Sequence, residues 1–196
     1  ADTVTDYTPL NEPMIHALFS GEYAYWPPYL AGEPGLVRMV DQLARGFALA
    51  QLGMREALGT RGTFVHVDAG MRYAGDLDAA DQRELAHRLR HQVWLVEDLV
   101  TGRVGEDHAL RPLLAEHGVG DDALAWFAEH AVQPDVYGIN YYPRHSTELL
   151  EAGVQHGGGC ADPRPVRDDG VEGLVELLRD GAARYGAPVM VSETCV

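Results

Sequence analysis

The sequence predicts an α/β fold of parallel strands with helices packed outside them. Two observations carry that reading. Short extended runs at 4–10, 63–68, 136–142 and 189–193 alternate with helical segments, giving strand, helix, strand, helix, strand, helix, strand. The first and last runs each lead to a glutamate at an exit. These are Glu12 in Thr8-Pro9-Leu10-Asn11-Glu12-Pro13 and Glu193 in Val189-Met190-Val191-Ser192-Glu193.

The run 4–10 reads as a strand of mixed burial. Pro13 fixes its own φ and disfavours the right-handed helical region for Glu12, so Glu12 is expected extended at a strand-to-loop exit. A long loop is expected next, with Phe19, Tyr23, Tyr25, Trp26 and Tyr29 crowded between glycines. Residues 36–58 form the clearest helix. Leu36, Met39, Val40, Leu43, Phe47, Ala50, Met54 and Ala57 recur at three- and four-residue steps, and Gly59 and Gly62 end the pattern.

The run 63–68 reads as a buried strand leaving through Ala69-Gly70. A helix is expected from Asp78 or Asp81 to about Val100, with Leu85, Leu89, Val93, Val96 and Val100 inward. Two shorter helices follow near 109–117 and 121–131, then a strand over 136–142 stopped by Pro143. The segment 147–170 reads as irregular, with Gly157-Gly158-Gly159 as its most mobile point. A helix over 171–185, with Leu174, Leu177, Leu178 and Ala182 on one side, precedes a final strand that Pro188 suits as an entry.

Composition narrows the function classes. The 15 basic and 30 acidic residues leave a net charge of −15 with no basic patch, which argues against nucleic acid and anionic membrane surfaces as partners. Lysine is absent, which removes Schiff-base chemistry and the P-loop lysine. Cys160 and Cys195 lack metal-ligand spacing and read as two unpaired thiols. No apolar run approaches a membrane span or a signal h-region, and a cytoplasmic location is expected. The chain begins without methionine and stops three residues after Glu193, so a longer natural protein is expected.

Functional residues of parallel barrels collect at the carboxyl ends of strands. Here those ends present Asn11-Glu12, His66-Val67-Asp68, Asn140-Tyr141-Tyr142 and Glu193. Both asparagines of the chain fall at such ends. Two carboxylates at two strand ends suit glycosidic bond cleavage.

Thr8-Pro9-Leu10-Asn11-Glu12-Pro13, Gly138-Ile139-Asn140-Tyr141-Tyr142 and Val191-Ser192-Glu193 resemble three signatures of glycoside hydrolase family 1, the β-glucosidase family, in that family's order. The resemblance implies a single domain over 1–196, forming the fourth-to-seventh-strand portion of a (β/α)₈ TIM barrel. It implies a retaining β-glycosidase acting on a β-glucoside or β-galactoside without cofactor or metal. Glu12 would be the general acid/base and Glu193 the nucleophile. Asn11 would bond the sugar 2-hydroxyl, Asn140 would lie beside the site, and Tyr142 would donate its hydroxyl to Glu193. The aromatic loop would then either form a small core of its own or offer flat faces near the sugar.

A retaining enzyme holds its carboxyls roughly 5–5.5 Å apart, with Glu12 starting protonated and Glu193 ionised. The chain departs from the family pattern at Ser192, Thr194 and Cys195, and at Pro143 and Arg144. These departures motivate one alternative, a carbohydrate-binding pseudoenzyme. Another is a metal-dependent hydrolase using His66 and Asp68, which share one strand face, with Glu193. A buried, hydrogen-bonded His66–Asp68 pair lining the barrel mouth is the favoured reading of those two. His87, His91 and His117 read as surface or satisfied residues. Four strands leave two open sheet edges, so the isolated chain is expected to be inactive and poorly behaved.

Overall fold

The computed structural model describes residues 3–75, 80–151 and 165–195. The expected Gly157-Gly158-Gly159 segment, Cys160 and the candidate helix start at Asp78 lie outside them. In chain order the elements are β1 (Asp6–Tyr7), α1 (Pro13–Ala17), α2 (Gly32–Leu58), β2 (Thr63–Ala69), β3 (Arg72–Ala74), α3 (Ala80–Gln92), α4 (Leu95–Val100), α5 (Arg111–Glu116), α6 (Asp121–Glu129), β4 (Val136–Tyr141), β5 (Thr147–Leu149), α7 (Gly170–Tyr185) and β6 (Val189–Thr194). The main sheet runs β1-β2-β4-β6, with every neighbouring pair parallel. This is the predicted alternation of parallel strands and covering helices, as an open sheet and not a closed barrel.

Several elements differ from expectation for identifiable reasons. The first strand is short because the ladder lapses after Tyr7 and resumes only where Asn11 bridges Val67. Pro9 has no N–H to offer in between. The expected aromatic loop begins instead as α1, continued by a wider turn over Leu18–Glu22. That turn packs against α2 through two glycines: a Cβ on Gly35 would lie 2.1 Å from the Gly21 carbonyl oxygen. Phe19 then gathers Tyr25 and Trp26 at ring distances of 5.5 and 4.9 Å.

In α2 the buried stripe is rotated from the predicted one. Val37, Ala44, Ala48 and Gln51 are buried, while Ala57 is exposed. Gln51 belongs inside because its amide serves a buried partner, described below, which hydrophobic periodicity cannot register. The single helix expected up to Val100 is broken at Val93-Trp94. The break turns Trp94 onto Tyr137 and Tyr185, and lets all six residues of α4 be buried. Within the stretch expected to be irregular, β5 pairs in parallel with the equally unforeseen β3.

The larger core lies between α1, α2, α4 and α6, around Leu36, Val40, Phe47, Leu95 and Leu99. A second cluster fills the space between β4 and α7, with Tyr137, Ile139, Tyr141, Leu177 and Tyr185. Asp98 joins the two regions. Its buried carboxylate accepts from Arg184 Nε at 2.7 Å and from the Tyr185 hydroxyl at 3.3 Å, and it faces His108 Nε2 at 3.1 Å. Burial alone would push this carboxyl up, but the bonds from Arg184 and His108 outweigh it and hold it below the usual carboxylate range.

Asp98→Asn is therefore expected to cost about 2–4 kcal/mol in urea unfolding, because it leaves Arg184 facing a neutral amide. A carboxyl depressed in the folded state stabilises fully above its ordinary value and loses that contribution as pH falls through the folded one. The wild-type protein should accordingly lose more stability than Asp98→Asn on acidification from about pH 5 downward.

Candidate active site

Glu12, Asn140, Tyr142 and Glu193 meet at the carboxyl end of the sheet, and the backbone explains how. Glu12 is not extended as expected but left-handed, with φ 47° and ψ 53°. Pro13 disfavours only the right-handed helical region, and the chain must turn from ladder to helix within one residue. Glu12 N–H closes the ladder on the Val67 carbonyl at 3.0 Å, while its own carbonyl accepts from His16 N–H at 3.3 Å. A non-glycine residue in such a conformation costs on the order of 1–3 kcal/mol, and strain of this kind clusters at functional sites.

On β4, odd and even positions divide the labour. Tyr137, Ile139 and Tyr141 pack toward α7, so Gly138, Asn140 and Tyr142 face the opposite, inner side. Asn140 is fully buried, and its Nδ2 donates to Glu12 Oε1 at 2.8 Å. Asn11 Oδ1 lies 3.5 Å from the same nitrogen. Two residues on, the Tyr142 hydroxyl donates to Glu193 Oε2 at 2.6 Å. That bond, helped by desolvation and by the charges of both glutamates, pushes the Tyr142 phenol up to about 12. The phenol therefore stays a donor across the neutral range.

The last strand contains an irregularity that matters here. Ile139 pairs with Val191 but Asn140 pairs with Glu193, so β6 carries one extra residue, Ser192, opposite β4. A bulge of this kind re-aims side chains. Ser192 faces inward, since a Cβ on Gly138 would meet its Oγ at 2.9 Å, and its hydroxyl donates to Asn140 Oδ1 at 2.6 Å. Glu193 also turns inward, onto Tyr142.

A cleft of about 560 Å³ opens beside these groups. Its wall carries Glu12, Asn140 and Tyr142 with apolar Ile15, Phe19 and Met71, and Glu193 joins through the Tyr142 hydroxyl. Of the aromatic segment, Phe19 lines the cleft while Tyr25, Trp26 and Tyr29 are exposed.

His66 and Asp68 do not line this mouth. They share one strand face as predicted, but it is the face toward the helices. His66 is fully buried, with Nδ1 2.6 Å from Glu97 Oε1 on α4 and Nε2 2.6 Å from Gln51 Oε1 on α2. Both ring nitrogens are thus engaged by protein oxygens, which leaves neither free for the alternative metal site with Glu193. Burial pushes the Asp68 carboxyl well above the usual carboxylate range, against bonds from the Ala69 and Met14 amides. Among the other histidines, His87 and His91 lie ring to ring on α3. His117 Nε2 is buried without a hydrogen bond and lies 3.7 Å from Glu33 Oε2. Cys195 is a free, exposed thiol. Ser192 was legible only as a departure from a family pattern, and nothing in the local sequence announced its bond to Asn140.

No protein-family model matches the chain, and no curated protein matches it by sequence. Solved structures do match by fold. The family 1 β-glucosidase from Thermotoga maritima superposes with a TM-score of 0.74 at 19% identity, covering 98% of this chain and 44% of that one. The Thermotoga maritima β-glucosidase in complex with deoxynojirimycin gives the same values, and its complex with azafagomine gives 0.71 at 18% identity with the same coverage. The chain therefore has the fold of part of a glycosidase TIM barrel, and it spans less than half the length of these structures.

Occupied ring nitrogens make His66 a packing residue. His66→Ala should cost about 2–4 kcal/mol in chemical unfolding, and neither a chelator nor added zinc should move the wild-type thermal midpoint. Zinc stabilisation that disappears in His66→Ala would restore the metal-site reading.

Proposed function

We propose that the protein carrying this chain is a retaining β-glycoside hydrolase, with Glu12 as acid/base and Glu193 as nucleophile, acting on a small β-glucoside or β-galactoside. The observation that carries this reading is the pair of separately wired carboxyl groups at one sheet mouth. Asn140 donates to Glu12, and the Tyr142 phenol donates to Glu193. The phenol donor fixes the orientation of the Glu193 carboxyl, which suits an attacking group.

In the first step a Glu193 oxygen attacks the anomeric carbon. The glycosidic C–O bond breaks, and the Glu12 proton passes to the leaving oxygen. Esterification removes the charge of Glu193. In the second step Glu12 takes a proton from water as the water oxygen attacks the same carbon, and Glu193 departs as a carboxylate. Asn11, next to Glu12 and 3.5 Å from Asn140 Nδ2, would bond the sugar 2-hydroxyl, a contact that strengthens in the oxocarbenium-like transition state.

Incubating the complete protein with a 2-fluoro-β-glycoside and mapping the adduct by mass spectrometry tests the assignment. A covalent sugar on Glu193 is expected. Retained sugar binding with no adduct would instead make this a carbohydrate-binding pseudoenzyme. Tyr142→Phe removes the donor to the nucleophile without changing the fold, and a roughly 10- to 100-fold fall in kcat/KM at unchanged thermal midpoint is expected.

A further inference from the structure

The extra residue of β6 does more than re-aim Glu193. Ser192 Oγ donates to Asn140 Oδ1 at 2.6 Å, and Asn140 Nδ2 donates to Glu12 Oε1 at 2.8 Å. A side-chain amide is planar, so fixing its oxygen fixes the direction of its N–H bonds. We propose that Ser192 is a positioning residue for the acid/base carboxyl, acting through Asn140 from the strand that carries the nucleophile. This rests on the assignment of Glu12 as acid/base.

Three features favour this over a packing role. Asn140 is fully buried, so without Ser192 its amide oxygen would have no water to turn to. Ser192 stands outside the ladder register, where its backbone is not needed to hold β6 on β4. Gly138 faces it without a side chain, and a Cβ there would press on the hydroxyl at 2.9 Å, so the space around Ser192 is shaped for the hydroxyl. With the amide loose, its carbonyl can rotate toward Glu12, and the carboxyl then loses the orientation that delivers its proton.

The test uses the complete protein and aryl β-glycosides that differ only in leaving-group acidity. Departure of 2,4-dinitrophenolate needs no proton, whereas departure of phenolate does. Proton delivery is worth roughly 10²–10⁴-fold in such enzymes. Ser192→Ala should lower kcat/KM about tenfold or more on the phenyl glycoside and less than about twofold on the dinitrophenyl one, with Ser192→Thr restoring the wild-type pattern. Ser192→Cys keeps the volume but is a weak donor, and should reproduce the leaving-group-dependent loss even if Ser192→Ala does not fold. An equal loss on both substrates, or no loss in either variant, would overturn the positioning role while leaving Glu12 as acid/base. A wild-type protein that turns over neither glycoside would remove the functional reading itself, and this role with it.

Discussion

A regular β-strand shows alternate residues to opposite faces, so two consecutive side chains cannot both reach one cleft. Ser192 and Glu193 are consecutive, and both face inward. The single residue inserted in β6 between its pairings to Ile139 and Asn140 makes this possible. In a regular strand Ser192 would stand opposite Asn140 and Glu193 opposite Tyr141, which would turn Glu193 toward α7 and away from Tyr142. The rest of the site follows from this local change of register. Asn140 and Tyr142, two residues apart on one face of β4, connect the bulge to Glu12 and to Glu193 respectively.

A bulge weakens pairing where it occurs, so the surrounding structure must hold β6 in place by other means. Behind the sheet, Tyr137, Ile139 and Tyr141 interleave with Leu177 and Tyr185 of α7, the helix that leads directly into β6. The C-terminal end of α7 is fixed in turn by Arg184 and Tyr185 on the buried carboxylate of Asp98. At the other side of the mouth, Glu12 reaches its place through a left-handed backbone turn tied to Val67. Strained or irregular backbone thus occurs on both glutamate-bearing segments, while the helices and apolar clusters beneath them are regular.

Much of this was legible in the residues. The alternation of extended and helical segments gave the parallel sheet, and the prolines and glycines placed most element ends within a few residues. What escaped was set by tertiary context. Gln51 and His66 satisfy each other across two elements, so the α2 stripe departs from pure hydrophobic periodicity. Pro13 excluded one backbone region for Glu12 without selecting among those that remained. The strands β3 and β5 are three residues each and pair with one another across more than 70 positions of sequence, as Arg72 opposite Thr147 shows. The bulge has no local signal either, because the extra residue exists only relative to a partner strand. Asn11, Glu12, Asn140, Tyr142 and Glu193 could be singled out, but the bond linking Ser192 to Asn140 could not.

With Glu193 as nucleophile and Glu12 as acid/base, the sugar should pass through a covalent ester, and its anomeric configuration should be preserved. Proton NMR of the first product released from an aryl β-glycoside by the complete protein measures this directly. The β-anomer should appear first and mutarotate only later. Initial release of the α-anomer would mean direct attack by water across a wider gap, and would contradict the assignment of Glu193 as nucleophile.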